Sequence, residues 1–211
     1  MGNIITKELI RKGYTYSQYK NLIDSLLDEG RTTGDDQSES KVNFTKINAH
    51  RMKRLYNTTR IIEELKNETS DLRNKWIWLV ITEAWCGDAA QNNPVIAKIS
   101  EINPNIELKF ILRDENPDVI DAYLTNGGRS IPKLICLDSK TLEEIGTWGP
   151  RPEAAQKRVM KDKSDPNVSH EEMVKNNQLW YLHDKTLSIQ NEFLELIKKN
   201  GRKSFPITQH N

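Results

Sequence analysis

One thiol stands where its position alone would activate it. Cys86 lies in the run Trp85-Cys86-Gly87-Asp88-Ala89, between a strand ending near Thr82 and a helix expected from Cys86 to about Ile102. A sulfur at a helix N-terminus meets unpaired backbone N–H groups and the positive end of the helix dipole. Both favour the thiolate, which is the nucleophile. Asp88 opposes this, because a carboxylate two residues away disfavours a second anion. The expected balance is a modest lowering of the Cys86 pKa. A lone thiolate can attack a disulfide and form a mixed disulfide, but an external thiol must then release it. In a two-thiol site that release is intramolecular and gains greatly from effective concentration. A sulfenic acid route, also resolved from outside, is open to the same sulfur.

The elements around Cys86 follow from hydrophobic periodicity. Trp76 to Thr82 is almost wholly apolar and β-branched or aromatic, as a strand buried on both faces should be. Ile106 to Leu112 and Lys133 to Leu137 read as further strands, and Glu143 to Trp148 as a fourth, reached through the turn at Asp138-Ser139-Lys140. A short helix opens at Asn116-Pro117-Asp118 and ends by Asn126-Gly127-Gly128, and Pro150-Arg151-Pro152 starts another. The order is β-α-β, a short helix, a β-hairpin and a helix. It predicts a parallel first pair and an antiparallel last pair. Before it, Tyr19, Leu22, Ile23, Leu26 and Leu27 recur at helical spacing, and Gly30 stops that helix. The stripe Met52, Leu55, Tyr56, Thr59 and Ile62 predicts one helix from about Lys46 to Lys66, followed by a polar stretch from Asn67 to Asn74. After the hairpin, Ser169-His170-Glu171-Glu172 is a capping-box pattern. Leu179, Leu182, Thr186, Ile189, Phe193, Leu196 and Ile197 then line one face of a single long helix that Gly201 ends.

Composition narrows the function. A formal net charge of +1 over 211 residues gives no reason to expect a nucleic-acid partner. Two cysteines do not make a disulfide scaffold. The N-terminus lacks a signal-peptide core, and no apolar run approaches the length of a membrane span. The expected location is the reducing cytoplasm, with no membrane partner. Met1-Gly2 with Thr6 formally fits a myristoylation pattern, but nothing else in the chain suggests an anchor. His50, His170, His183 and His210 show no metal-ligand spacing, so neither a metal nor another cofactor is expected. Cys136 sits between Ile135 and Leu137 and reads as core. Trp76, Trp78 and Trp148 also read as core, whereas Trp85 should lie exposed or half-exposed beside the thiol.

Four features together resemble the thioredoxin superfamily. These are Trp85-Cys86-Gly87 at the end of a buried strand, Pro94 eight residues after the cysteine, Arg129-Ser130-Ile131-Pro132 entering the third strand, and the element order itself. The chain looks most like bacterial thioredoxin family proteins with a monothiol motif. The resemblance implies an α/β thioredoxin-like fold, with a central four-stranded mixed sheet flanked by helices and extra helices at both ends. It implies a core over 71–165, an N-terminal helical extension over 1–70, and a C-terminal one over 166–211 packed on that core. It implies a cis-proline at Pro132 beside Cys86, with Arg129 adding positive charge and Gly87, Asp88, Ala89 and Ile131 shaping the site. Cys136 would then lie four strand residues from Pro132, roughly 13 Å away. That is too far for a disulfide, which needs Cα atoms within about 7 Å. Three positions depart from the family pattern. Ala89 stands where the second cysteine would be, Asp88 where proline is common, and Val80 where a buried aspartate is usual. The expected activity is monothiol thiol–disulfide exchange through Cys86 with a protein or low-molecular-weight disulfide or thiol. The alternative is a redox-inactive binding module that uses the groove beside the cis-proline. The extra helices must bury their apolar faces on the sheet or in a homodimer.

Overall fold

A strand that is apolar at every position needs cover on both faces, and the flanking helices supply it. The computed structural model describes residues 4–201. In chain order its elements are α1 (Lys7–Lys12), α2 (Tyr16–Asp28), α3 (Glu39–Thr58), α4 (Glu63–Ser70), β1 (Trp76–Thr82), α5 (Gly87–Ser100), β2 (Ile106–Leu112), α6 (Pro117–Asp121), β3 (Lys133–Asp138), β4 (Glu144–Trp148), α7 (Glu153–Ser164), α8 (His170–Asp184) and α9 (Leu187–Asn200). The strands form one mixed sheet in the order β2-β1-β3-β4. β1 runs parallel to β2, while β3 is antiparallel to both β1 and β4. This is the thioredoxin-like α/β arrangement with added helices that the sequence predicts.

The period-2 alternation of β1 sorts the core into two layers. Trp76, Trp78 and Val80 join Tyr19, Phe110, Cys136 and Phe193 on one side. Ile77, Leu79 and Ile81 join Ile10, Ile120 and Ile135 on the other. The extra helices pack on this chain's own sheet and its covering helices. Tyr19 of α2 stacks on Phe110 of β2 at 5.2 Å between ring centroids. Phe193 of α9 meets Trp78 edge-on at 5.0 Å and Trp148 at 5.4 Å. Glu192, its neighbour, accepts from Trp148 Nε1 at 2.6 Å and from the Glu153 backbone at 2.7 Å, so α9 ties β4 to α7.

Two predicted helices are each broken in two. The stripe expected to run from Lys46 to Lys66 stops at Thr58, and a separate helix, α4, starts at Glu63 and runs on to Ser70, into the segment read as polar. The cause is a long-range side chain. Gln190 of α9 is 1% exposed; it donates to the Arg60 carbonyl and accepts from the Ile62 N–H, replacing local helical bonds. The C-terminal helix divides at Lys185 and Thr186, whose φ angles are +52° and +69°. Asp184 then caps the new helix by accepting from the Ser188 N–H at 3.2 Å. The short α1, capped by Thr6, has too few residues to show a period and is not anticipated from the sequence. The Met1-Gly2 pattern, His210 and the segment from Lys203 lie outside the described residues, and so does any anchor they would carry.

Among the described residues no helix is long and apolar enough to cross a membrane. Phe193→Ala should test the role of α9 as a structural part of the fold. It removes a fully buried ring from between two tryptophans, and such truncations cost about 3–5 kcal/mol. Urea unfolding should show a loss of that size, and a change under 1 kcal/mol would contradict the packing.

Candidate functional site

The site is built on the turn from β1 into α5. Glu83 to Cys86 leave the strand, and the loop is held from three sides. Thr33 Oγ1 accepts from the Ala84 N–H at 2.8 Å, and Asn48 of α3 donates to the Ala84 carbonyl at 2.9 Å. The Asp114 backbone donates to the Glu83 carboxylate at 3.0 Å. Burial pushes the Glu83 pKa up, as expected for a carboxyl that is 0% exposed. Cys86 follows as the N-cap of α5, in extended backbone conformation, and its Sγ accepts from the Ala89 N–H at 3.5 Å. The thiol in turn donates to the Ile131 carbonyl at 3.3 Å, and the Ile131–Pro132 peptide is cis. Thus Cys86, Ala89, Ile131 and Pro132, far apart in sequence, meet at one end of the sheet. Gly87 is closely covered, because a Cβ there would lie 3.1 Å from Gln178 Nε2 of α8.

Asp88, in the first turn of the helix, is 8% exposed yet fully engaged. One oxygen, Oδ2, accepts from Arg151 Nε at 3.1 Å and Nη2 at 2.5 Å. The other, Oδ1, accepts from Asn177 Nδ2 at 2.9 Å and Tyr181 Oη at 2.8 Å. Asn92, one turn further along α5, donates to the Asp88 carbonyl and to the Tyr181 hydroxyl, both at 2.9 Å. The carboxylate therefore binds α5 to α8 and to the residue after the cis Gly149–Pro150 peptide. Gly149 has φ +108°, and a Cβ there would collide with the Pro132 carbonyl, so only glycine fits between Arg151 and the proline loop.

These contacts reverse the expected titration of Cys86. Its pKa is pushed up to about 12, first by burial and next by the Asp88 charge. The N–H groups of Ala89 and Asp88 and the Arg151 guanidinium pull the other way without overcoming those two effects. The helix-terminus argument has the right sign for its own contribution. It omits the desolvation of a half-buried sulfur, which sequence does not reveal.

Arg129 also differs from expectation. It pairs with exposed Asp121, Nε to Oδ1 at 2.6 Å, and the cation that faces the thiol is Arg151. Trp85 is half-buried beside Cys86, as predicted, and its ring carries Lys41 Nζ at 3.5 Å and the Arg113 guanidinium at 4.8 Å from its centroid. Cys136 is fully buried in the layer that contains Trp78, while Cys86 packs against the opposite layer. Both cysteines are free. Arg151, Asn177 and Tyr181 carry no local motif, so sequence reasoning misses them. Among the described residues no group of His, Cys, Asp or Glu is arranged to hold a metal ion.

Comparison with protein families matches residues 34–166, well over half of the chain, to a thioredoxin family model. Two solved structures are similar at 18% identity. A protein of unknown function from Pseudomonas aeruginosa gives a TM-score of 0.57, covering 88% of this chain and 98% of the other. An HIV epitope-scaffold gives 0.54, covering 83% and 97%. At this identity the likeness concerns the fold. Comparison with the curated proteins gave no match.

Asp88→Asn should separate the two roles of the carboxylate. Removing the charge leaves Arg151 facing the sulfur, so the Cys86 pKa should fall and alkylation at a fixed pH should speed up. Loss of the partly buried ion pair should also cost about 3–5 kcal/mol. Arg151→Met should slow alkylation. Identical alkylation profiles in all three proteins would show that this network does not act on the thiol.

Proposed function

Because the chain belongs to the thioredoxin family, we propose that it exchanges thiols with disulfides through Cys86 alone, an external thiol completing each cycle. The observation that supports this reading most is the placement of the half-buried Cys86 Sγ at the N-cap of α5, beside Ile131 and Pro132. In the first step the Cys86 thiolate attacks one sulfur of a substrate disulfide. The substrate S–S bond breaks, a mixed disulfide with Cys86 forms, and the departing thiolate takes a proton from solvent. Ala89 provides no second thiol, so an external thiolate then attacks the substrate sulfur of the mixed disulfide. Cys86 is regenerated and a new disulfide leaves with the external thiol.

The reaction runs from a thiol that is stored protonated. Its hydrogen bond to the Ile131 carbonyl exists only in that form, whereas the Ala89 N–H and Arg151 favour the anion. Exchange is therefore slow at neutral pH and accelerates with alkalinity. The substrate is a protein or low-molecular-weight disulfide of the cytoplasm. Residues 71–165 form the thioredoxin-like core of this reading, with 1–70 and 166–211 as helical extensions.

A second reading is favoured by the raised Cys86 pKa. In it, the fold is a binding module, and backbone groups beside Pro132 take up an extended chain without turnover.

The pH dependence of Cys86 alkylation, with Cys86→Ser reporting Cys136, tests the first reading together with incubation in oxidised glutathione. The alkylation rate should rise about tenfold per pH unit well past the free-cysteine value of about 8.5. Mass spectrometry should find a glutathione adduct on Cys86 that reduced glutathione removes. Absence of the adduct even at pH 9.5 would sink the redox reading, and partner capture that survives Cys86→Ser would establish the binding one. The same pKa makes a stability prediction. The unfolded thiol ionises from about pH 8.5, while the folded one stays protonated until about 12. The unfolded state then binds fewer protons, so stability contributed by Cys86 falls as pH rises through that window. Cys86→Ser should flatten the alkaline loss of stability, and an unchanged profile would contradict the raised pKa.

A further inference from the structure

A cavity of about 670 Å³ lies where α3, α8 and α9 meet, and Cys86 does not line it. Its size falls within the usual range of small-molecule sites, about 300–1,000 Å³. Its charge is one-sided. Arg51 and Arg54 project from α3, Arg60 from the break after it, and Lys175 and Lys185 from α8 and its end. No aspartate or glutamate lines the cavity, and among the described residues none of the five cations is ion-paired. Arg51 is held by Asn48, to which it donates at 2.7 Å; burial followed by the nearby Arg54 charge lowers its pKa, and the Asp88 charge, which lies outside the cavity lining, opposes them in part. Two like charges on one helix face repel unless an anion joins them.

The remaining lining is apolar and polar in separate parts. Leu179, Leu182 and Leu187 are 42%, 61% and 50% exposed and all face this one cavity. Thr59 also lines it. That residue is 7% exposed, and its hydroxyl has no hydrogen-bond partner, although a buried hydroxyl normally finds one. The wall is rigidly built, because fully bonded Gln190 and Tyr181 stand in it.

From this we propose that the cavity binds a small anionic amphiphile, with a phosphate head on the Arg51–Arg54–Arg60 side and an apolar chain along the leucines. Phosphate fits better than a carboxylate. It carries up to two charges against five cations, and its oxygens match the planar forks of several guanidiniums at once. The leucines explain why inorganic phosphate alone is not the ligand, since it leaves them in water. This inference does not depend on the chemistry of Cys86.

Isothermal titration calorimetry of the full chain with dodecyl phosphate, kept below its micelle-forming concentration, tests it. Inorganic phosphate and dodecyl maltoside report head and chain alone. The expected result is one saturable site for dodecyl phosphate, at least tenfold tighter than for either control. Arg54→Gln with Arg60→Gln, both at exposed positions, should weaken binding tenfold or more. Leu182→Ser should weaken it severalfold by an independent route. Absence of saturation, equal binding of dodecyl maltoside, or indifference to both variants would overturn the proposal. Binding to phosphatidylglycerol vesicles without binding of monomeric dodecyl phosphate would overturn it in favour of a membrane-docking surface.

Discussion

A carboxylate buried at the start of a helix must find donors for both oxygens, and the arrangement around Cys86 is organised by how Asp88 finds them. Two donors come from Arg151, one from Asn177 and one from Tyr181. Those residues belong to the segment after β4 and to α8, so satisfying one charge fixes where the C-terminal part of the chain lies. Such a pair contributes little net stability compared with an apolar replacement, but losing one member leaves the other charge stranded. The network therefore acts more as a positioning device than as a source of stability. It places α8 over Gly87 and sets the electrostatic surroundings of the sulfur.

The opposite side of the same turn is held by the N-terminal region. Thr33 and Asn48 bond both backbone groups of Ala84, and the Asp114 backbone engages Glu83. The helices before β1 are thus not mere cover for the sheet. They fix the loop from which Cys86 is presented, in keeping with a family match that reaches back to Gly34. Gly34 itself has φ +81°, a backbone conformation that strains any other residue, and lies against the Asp114 carboxylate. Trp85 is clamped in turn by Lys41 and Arg113. The thiol thus sits in a rigid setting made by residues from both ends of the chain.

The C-terminal helix connects this setting to the core. Phe193 fills the space between Trp78 and Trp148, and Glu192 bonds β4 and α7 on the same helix. One turn earlier, Gln190 interrupts the path from α3 into α4 by supplying the hydrogen bonds a continuous helix would have used. The interruption and the left-handed pair Lys185–Thr186 together open the cationic cavity. Packing of α9 and the shape of that cavity are consequences of the same contacts.

The strands were legible in the sequence because their signal is local. β1 and β2 begin and end where their apolar runs do, and β3 and β4 differ from expectation by a single residue. The turn at Gly127 and the helix start at Cys86 were likewise readable, since each depends on a few adjacent residues, whereas the cis peptide at Pro132 was implied by the thioredoxin resemblance. Two helix breaks were not, because the polar groups that cause the first come from Gln190 in α9, and the second rests on two residues without a turn signature. Nor could the sequence indicate the titration of Cys86. Its local ingredients are a helix N-terminus that lowers the pKa and Asp88 that raises it, and burial, which no neighbouring residue reveals, tips the balance upward. The sequence by itself determined the strands, their succession along the chain and the place of the one candidate thiol, while their order within the sheet came from the structure. Tertiary structure alone decided the partners of Asp88, drawn from 63 to 93 residues away, and with them the environment in which that thiol works. Backbone periodicity is written in neighbouring residues, whereas desolvation and ion pairing depend on which distant segments the fold brings together.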